Sequence, residues 1–455
     1  MHKTLVLKNE YIEDVKVYDK NSVYAGKLTL TPKECYIEIF TEREPSEFFY
    51  ASKNLECHSM NEGYLLYGLK LLHMTHTFLE AQELDMFCSV SIKFEIQYVL
   101  FINGFLPSLD SKIKSLSINS NFIKKWTMHT ETQKQILENY LKKEGFAAYS
   151  GTEFEQEIQN YGHIGIYYSP TQFTSIEELN SGIKIHPQLT IHYKDRLDFS
   201  MIFDEFNKLY QLLTLFNGGD FKIDFIEFEF DEWNSKPAYL YYSSSQKIDE
   251  LNFVLLPLGK DLIFSDQGLI PLPLNFFDIY YNLPQAKQEL FKRYLKYKQI
   301  ASLEEKFLGY FRLLEKITHK TKNYVDNKAL TQLLERSKKY VAKKLNTNSR
   351  TIKDFNSRIE RLNTSKYNTE KCICDFYETI PSQIKDQLEC TKSELSDITK
   401  LRNNITHAND YVIDDRTLYK YTSFINSLLF LAITNIFLEI PLETCIPVAR
   451  RLDSF

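Results

Sequence analysis

Over roughly the first 270 residues, apolar and polar positions alternate with a period of two in several short runs, the pattern of half-buried strands. Leu28 to Phe40 (LTLTPKECYIEIF) has strand character with a turn at Thr31-Pro32. Ser89 to Ile102 (SVSIKFEIQYVLFI) alternates over its first half and stops before the turn signal Asn103-Gly104. Ile183 to Ile191 repeats the pattern. So does Phe221 to Phe230 (FKIDFIEFEF), with Phe221, Ile223 and Phe225 on one face and Lys222 and Asp224 on the other. Its register shifts at Ile226-Glu227, which predicts a bulge or a strand covered on both faces. Two helices interrupt the strands. Ile202, Phe206, Leu209, Leu213 and Phe216 recur at spacings of three and four, and Asn217-Gly218-Gly219 closes that run as a C-cap. A second helix is expected over Glu131 to Lys143.

Between 232 and 284 the pattern is mixed, and Pro237, Pro257, Pro271, Pro273 and Pro284 suit a connector. From 285 the period becomes helical. Gln285–Lys320 carries Phe307, Phe311, Leu314 and Thr318 on one stripe, and Ala329–Leu345 continues the helical run. Asn346 to Ser349 reads as a loop, 351–363 as a helix, and Tyr367-Asn368 as the start of another loop. Later helices are expected over 384–409 and 415–440, with Pro441 and Pro447 closing the fold. The fold class is therefore multidomain: a strand-rich α+β region over 1–280 and an all-α bundle over 281–455. A division of the first region into two subdomains near 130–180 is the finer alternative.

A chain of 455 residues with 43% apolar and 25% charged content has ample material for such cores, which excludes global disorder. The start, Met1-His2-Lys3-Thr4, runs into a short apolar stretch and then charges, so no signal peptide is expected. The most apolar segment, Phe424 to Ile440, contains Asn426, Ser427, Thr434, Asn435 and Glu439 and reads as a buried helix rather than a membrane span. Seven scattered cysteines suit a reducing cytoplasm and free, mostly buried thiols. Cys57, His58, His73 and His76 lack paired CxxC or HxxxH spacing, and no GxxxxGK[ST] phosphate loop is present, so neither a metal nor a cofactor is expected.

Net charge is −5, but residues 281–370 hold 21 Lys+Arg against 9 Asp+Glu, an excess of +12. A basic segment in an otherwise acidic chain is either a solvated helical face or an anion-binding surface.

Leu395 to Asp410 (LSDITKLRNNITHAND) narrows that choice. On a helix, Leu395, Ile398, Leu401 and Ile405 share an apolar arc, while Asn403 and His407, four apart, project together on the opposite side. Arg402 lies at the edge of the arc, where a charge is costly unless it is paired or reaches an opening. Arg402-Asn403-Asn404-Ile405-Thr406-His407 resembles the signature of HEPN ribonucleases: an Arg, a polar residue, and a His near the end of a late helix. Phe307 to Glu315 (FLGYFRLLE) is similar to the first long helix of such domains. Glu315 is a candidate orienting group, its alternative being a surface ion pair with Lys316 or Arg312. With the strand-rich first region, including Tyr98–Gly104 and Lys114–Trp126, the whole chain is similar to the ApeA family of bacterial anti-phage defence proteins.

The resemblance implies a metal-independent, cytoplasmic endoribonuclease. His407 would exchange protons with the 2′-OH and the leaving 5′-oxygen, Arg402 would hold the scissile phosphate, and Asn403 would orient the imidazole or bond a phosphate oxygen. It also implies a homodimer that brings two Arg/His pairs together, host RNA as target with tRNA loops a candidate, and an N-terminal sensor for a phage-encoded trigger. The competing readings are a non-catalytic HEPN scaffold for a protein or nucleotide partner, and an enzyme whose site lies in the N-terminal region. Against the latter, His73, His76, His186 and His192 show no nucleophile or metal spacing.

Overall fold

The computed structural model describes residues 3–19, 22–41, 53–80, 86–104, 106, 111–142, 151–175, 180–231, 237–244, 253–263, 268–320, 323–363, 369–407 and 409–453. They form two compact units, Met1–Asn282 and Leu283–Phe455. The first is built on strands β1 (Tyr11–Asp19), β2 (Ser22–Leu30), β3 (Cys35–Thr41), β4 (Asn54–Ser59), β5 (Glu62–Tyr67), β6 (Lys70–Glu80), β7 (Met86–Glu95), β8 (Tyr98–Ile102), β9 (Ile113–Asn119), β10 (Gly151–Ile158), β11 (Gly162–Ser175), β12 (Asn180–Leu197), β13 (Phe225–Phe230) and β14 (Ala238–Tyr242). They make one sheet in the order β10-β11-β12-β9-β13-β14-β8-β5-β4-β1-β2-β3-β7-β6. Neighbours along it pair antiparallel, from β10 with β11 to β6 with β7.

The β7–β8 link decides how that sheet is shaped. The expected run from Ser89 to Ile102 is two strands, divided at Ile96-Gln97. In the sheet, six inter-strand steps separate β8 from β7, about 29 Å if it were flat. The three Cα steps from Glu95 to Tyr98 span at most about 11 Å. The sheet must therefore curl until its members meet. The link records the meeting: Ile96 N–H donates to Cys35 O at 2.9 Å and Gln97 N–H to Tyr67 O at 3.0 Å. Every residue of β8 is buried, which is why alternation fails there and the break is hidden.

Helices α1 (Asn121–Thr127), α2 (Glu131–Leu141), α3 (Ile202–Asn217) and α4 (Phe276–Tyr281) pack on the β9–β12 side of the sheet. Trp126 is their centre. It is fully buried, stacks on Phe122 and Phe216, and meets Phe154 and Phe277 edge-on. Its indole N–H donates to Leu256 O at 3.0 Å, satisfying the one polar atom in the cluster.

Several expectations need correction. Only the first half of Lys114–Trp126 is strand; Ser120 caps a helix from Asn121, its hydroxyl accepting from Phe122 N–H at 3.1 Å. Phe221 and Ile223 are buried ahead of β13, and the strand turns Ile226, Phe228 and Phe230 inward. The inward face does change parity at Ile226, as expected, while the irregularity in that strand's pairing with β9 lies at Glu229/Phe230. The proline-rich stretch is no loose connector. Ala238–Tyr242 is an interior strand between β13 and β8, and Leu256 and Leu258 are hydrogen-bonded to Phe216 O and Trp126 O. Lys143, the expected end of α2, lies outside the described residues, as does Tyr367-Asn368.

The C-cap of α3 is where that helix ends: Gly218 has φ +86°, and its N–H bonds Thr214 O at 3.1 Å. Gly218→Ala places a Cβ in the left-handed region at a cost of about 1–2 kcal/mol. We expect the melting temperature to fall by roughly 2–6 °C, with Gly218→Asn recovering part of it; identical melting of all three proteins would refute the cap assignment.

The second unit is helical throughout: α5 (Gln285–Lys298), α6 (Leu303–Thr318), α7 (Asn327–Lys344), α8 (Ser349–Asn363), α9 (Thr369–Thr379), α10 (Ser382–Lys385), α11 (Leu395–Thr406) and α12 (Asp415–Ala432). A π-turn (Ile433–Phe437) and a 3-10 segment (Leu442–Arg451) follow. Helix α6 is the hub, packing on α12, α5 and α9. Its stripe of Phe307, Phe311, Leu314 and Thr318 is buried as expected. Gly309 permits the α5 contact, since a Cβ there would lie 2.7 Å from the Tyr297 ring. Within the apolar segment, the Ser427 hydroxyl lies 2.6 Å from Leu452 O and 2.7 Å from Asp453 Oδ1, tying down the 3-10 segment, and Asn435 Nδ2 donates to Ile440 O at 3.2 Å, whereas Thr434 Oγ1 is buried without a hydrogen-bond partner among the described residues. No helix among the described residues is long and apolar enough to cross a membrane. The expected helix over 384–409 is divided, because Thr391 and Glu394 form a capping box that starts a new helical run.

Candidate active site

Helix α11 carries the motif, and local chemistry sets where it begins and stops. Thr391 N–H donates to Glu394 Oε2 at 2.8 Å in the capping box, and Lys420 of α12 pairs with the other oxygen of Glu394 at 2.7 Å. Leu395, Ile398 and Leu401 are buried, and Ile405 is half-buried, so the apolar arc faces the bundle. The helix ends at His407, whose N–H bonds Asn403 O at 3.0 Å; the N–H of Asn409 then takes Asn404 O at 2.9 Å. Asp414 opens α12 by accepting from Thr417 N–H at 2.9 Å.

Arg402 leaves the edge of the arc and reaches α6. Nη2 donates to Glu315 Oε2 at 2.9 Å, and Nη1 donates to Asn403 Oδ1 at 2.9 Å. The guanidinium carbon lies 5.5 Å from the centroid of the Phe311 ring, a cation–π distance. Glu315 is held in turn: Thr369 Oγ1 donates to its second oxygen at 2.8 Å. The Arg402 and Glu315 side chains are 22% and 24% exposed, partly withdrawn from water, so each is costly without the other. Among the described residues Glu315 pairs with Arg402, and not with Lys316 or Arg312. Among the described residues, Nε of Arg402 is buried without a hydrogen-bond partner.

His407 is arranged differently. It is exposed, and among the described residues its ring makes no hydrogen bond, ion pair or ring contact. At 100° per residue, Asn403 and His407 lie about 40° apart around the helix axis, whereas Arg402 and His407 lie about 140° apart. The structure thus joins Arg402 to Asn403 and Glu315, and leaves His407 on the open side at the helix end. Tyr411 steadies the chain beyond it by donating to Glu304 Oε2 at 2.7 Å.

Thr369 and Phe311 are the partners that motif reading misses. Phe311 is visible only as a core position, and Thr369 sits beside a stretch that reads as loop, 54 residues from the carboxylate it contacts. Among the described residues, no group of three or more His, Cys, Asp or Glu could hold a metal ion.

The two-sided engagement of Glu315 makes a test. Glutamine can keep its oxygen on Arg402 and turn its amide N–H to the Thr369 hydroxyl, which then accepts, so Glu315→Gln removes the charge opposite the guanidinium while both contacts can persist. A loss of about 1–3 kcal/mol is expected, read as a lower denaturant midpoint with unchanged slope; an unshifted midpoint would mean the pair carries no weight.

Residues 283–443 match the family described as Apea-like HEPN. No curated protein and no solved structure matches the chain.

Proposed function

From a helical unit whose residues 283–443 match the Apea-like HEPN family, we infer that this protein is an endoribonuclease acting as an anti-phage, abortive-infection effector. One observation carries the reading: a motif arginine held by Glu315 and Asn403 over an aromatic ring, on the same helix end as an exposed histidine. RNA supplies its own nucleophile, the 2′-OH. In this reading His407 takes that proton or gives one to the leaving 5′-oxygen. Arg402 bears on the phosphate and stabilises the charge that develops there, its planar donors fixed in advance by Glu315. Asn403 lies on the His407 side and orients the imidazole or bonds a phosphate oxygen. The bond from phosphorus to the 5′-oxygen breaks as the 2′-oxygen bond forms, leaving a 2′,3′-cyclic phosphate and a 5′-OH.

The angular separation of Arg402 and His407 favours a site shared between two protomers, in which a partner's residues complete each pair. Such a toxin needs restraint in a healthy cell. The reading gives that role to the N-terminal unit, released by a phage-encoded trigger, and places the protein with host RNA in the bacterial cytoplasm, tRNA being a candidate target.

The test is purified full-length protein incubated with labelled tRNA and total RNA in chelator, with and without phage lysate, the product ends identified chemically. Cyclic phosphate and 5′-OH ends from wild type, and none from His407→Ala, support the reading. Cleavage by both proteins alike, or by neither under any condition, gives the lead to a non-catalytic scaffold.

A further inference from the structure

Helices α7 and α8 form a hairpin unlike the rest of the unit. The 18 residues of α7 include none that is buried, and α8 buries only Ile352 and Asn363. The other long helices of the unit each bury at least three side chains, and α12 buries eleven. The hairpin packs on itself, and Asn363 locks its base: its side chain accepts from Val325 N–H and donates to Val325 O, both at 2.9 Å. An 18-residue helix makes it about 27 Å long.

Its surface is cationic. Residues 323–363 contain ten Lys+Arg (Lys328 to Arg361) and four Asp+Glu. None of the ten is in an ion pair with a described residue, although six ion pairs occur elsewhere in the unit. Apolar groups stand among these charges. Leu333, Arg336, Tyr340, Lys343 and Lys344 fall at spacings of three and four on one face of α7, and Tyr340 is 66% exposed.

The insertion point places this surface at the candidate site. Helix α6 ends at Thr318, three residues after Glu315, and α9 begins at Thr369, whose hydroxyl holds Glu315. Both stems of the hairpin therefore join the bundle next to the residue that holds Arg402.

We propose that the α7–α8 hairpin is an RNA-docking arm, gripping the phosphate backbone with Arg336, Lys339, Lys343 and Lys344 and stacking a base on Tyr340. The proposal rests on the reading that RNA is what this domain acts on, and it names the surface that captures it. Charge complementarity selects the occupant. A second copy docked through the same stripe would set like charges against each other. A membrane-lying helix keeps its cations beside a separate apolar face, whereas here Arg336 sits between Leu333 and Tyr340 in one stripe. Cations interleaved with an exposed aromatic match a nucleic acid, whose backbone wants the charges and whose bases want the ring.

The test uses full-length His407→Ala protein and a labelled RNA stem-loop, with affinity measured across a salt series. Adding Arg336→Gln, Lys339→Gln, Lys343→Gln and Lys344→Gln together should flatten the slope of log affinity against log salt by about 3. Tyr340→Ala should weaken binding about tenfold with the slope unchanged. Glutamine has helix propensity close to that of Lys and Arg, so helicity by circular dichroism should persist. A control removing Lys27, Lys70, Lys124 and Lys134 matches the charge change elsewhere. Affinity and slope equal to the parent's in the arm variants overturn the arm while leaving the ribonuclease reading intact, provided wild type still cuts RNA. Arm-dependent binding with no cleavage by wild type sinks the ribonuclease reading and keeps the arm. A parent that binds no RNA, arm variants that lose only anionic-vesicle binding, or arm variants that lose only self-association overturn the arm.

Discussion

Replacing His407 with alanine is expected to lower RNA cleavage by about 10²- to 10⁴-fold, the range for losing a positioned proton-transfer group. Stability should move by no more than about 0.5 kcal/mol, because the side chain is exposed and among the described residues its ring makes no hydrogen bond, ion pair or ring contact. That dissociation between rate and stability makes the variant informative. A histidine that served the fold would move melting and activity together. Cleavage of labelled RNA by variant and wild type under identical conditions, with melting curves alongside, decides it. Retention of more than a tenth of the wild-type rate would remove His407 from the chemistry.

Arg402→Ala should behave in the opposite way, damaging both. Cleavage should fall by about 10²- to 10³-fold through loss of charge stabilisation at the phosphate. Stability should fall by about 1–3 kcal/mol, because Glu315 keeps Thr369 but loses its cation in a setting only a quarter exposed. Arg402→Lys restores charge without the fork that reaches Glu315 and Asn403 together, so it should recover stability better than activity. Combining Arg402→Ala with Glu315→Ala removes both charges, and the double variant should be more stable than the summed single losses imply. Mixed protomers probe the shared site. If Arg402 of one chain works with the partner's His407, refolding Arg402→Ala together with His407→Ala makes half of the dimers mixed, each with one intact site, so about a quarter of the wild-type rate should return. No recovery would exclude a pair made of one chain's Arg402 and the partner's His407 as sufficient for cleavage.

The sequence makes some of this legible and hides the rest for physical reasons. Amphipathic helices announce themselves, so α3 with its Gly218 cap and the α6 stripe are read correctly from spacing alone. The edge position of Arg402 signals the need for a partner, and Glu315 is a candidate for it only because its helix resembles the first long helix of HEPN domains. Their hydrogen bond spans 87 residues, and nothing local specifies it. Thr369 is invisible for the same reason. Strands buried on both faces lose their alternation, so β8 fuses with β7 in a linear reading, and Ala238–Tyr242 disappears among prolines although it fills an interior place in the sheet. Order within that sheet is set by pairings such as β14 with β8, which no periodicity encodes.

The curl of the first sheet has a consequence for biosynthesis. All the strands that it takes to bring β7 back to β8 lie before residue 103, and the sheet's last member, β14, ends at Tyr242. At about 5–20 residues per second, a ribosome that has passed Asn282 needs roughly 6–25 s more to reach His407, whereas folds rich in distant strand pairings form within about milliseconds to seconds. The N-terminal unit therefore has time to assemble on the nascent chain before Arg402 and His407 are made.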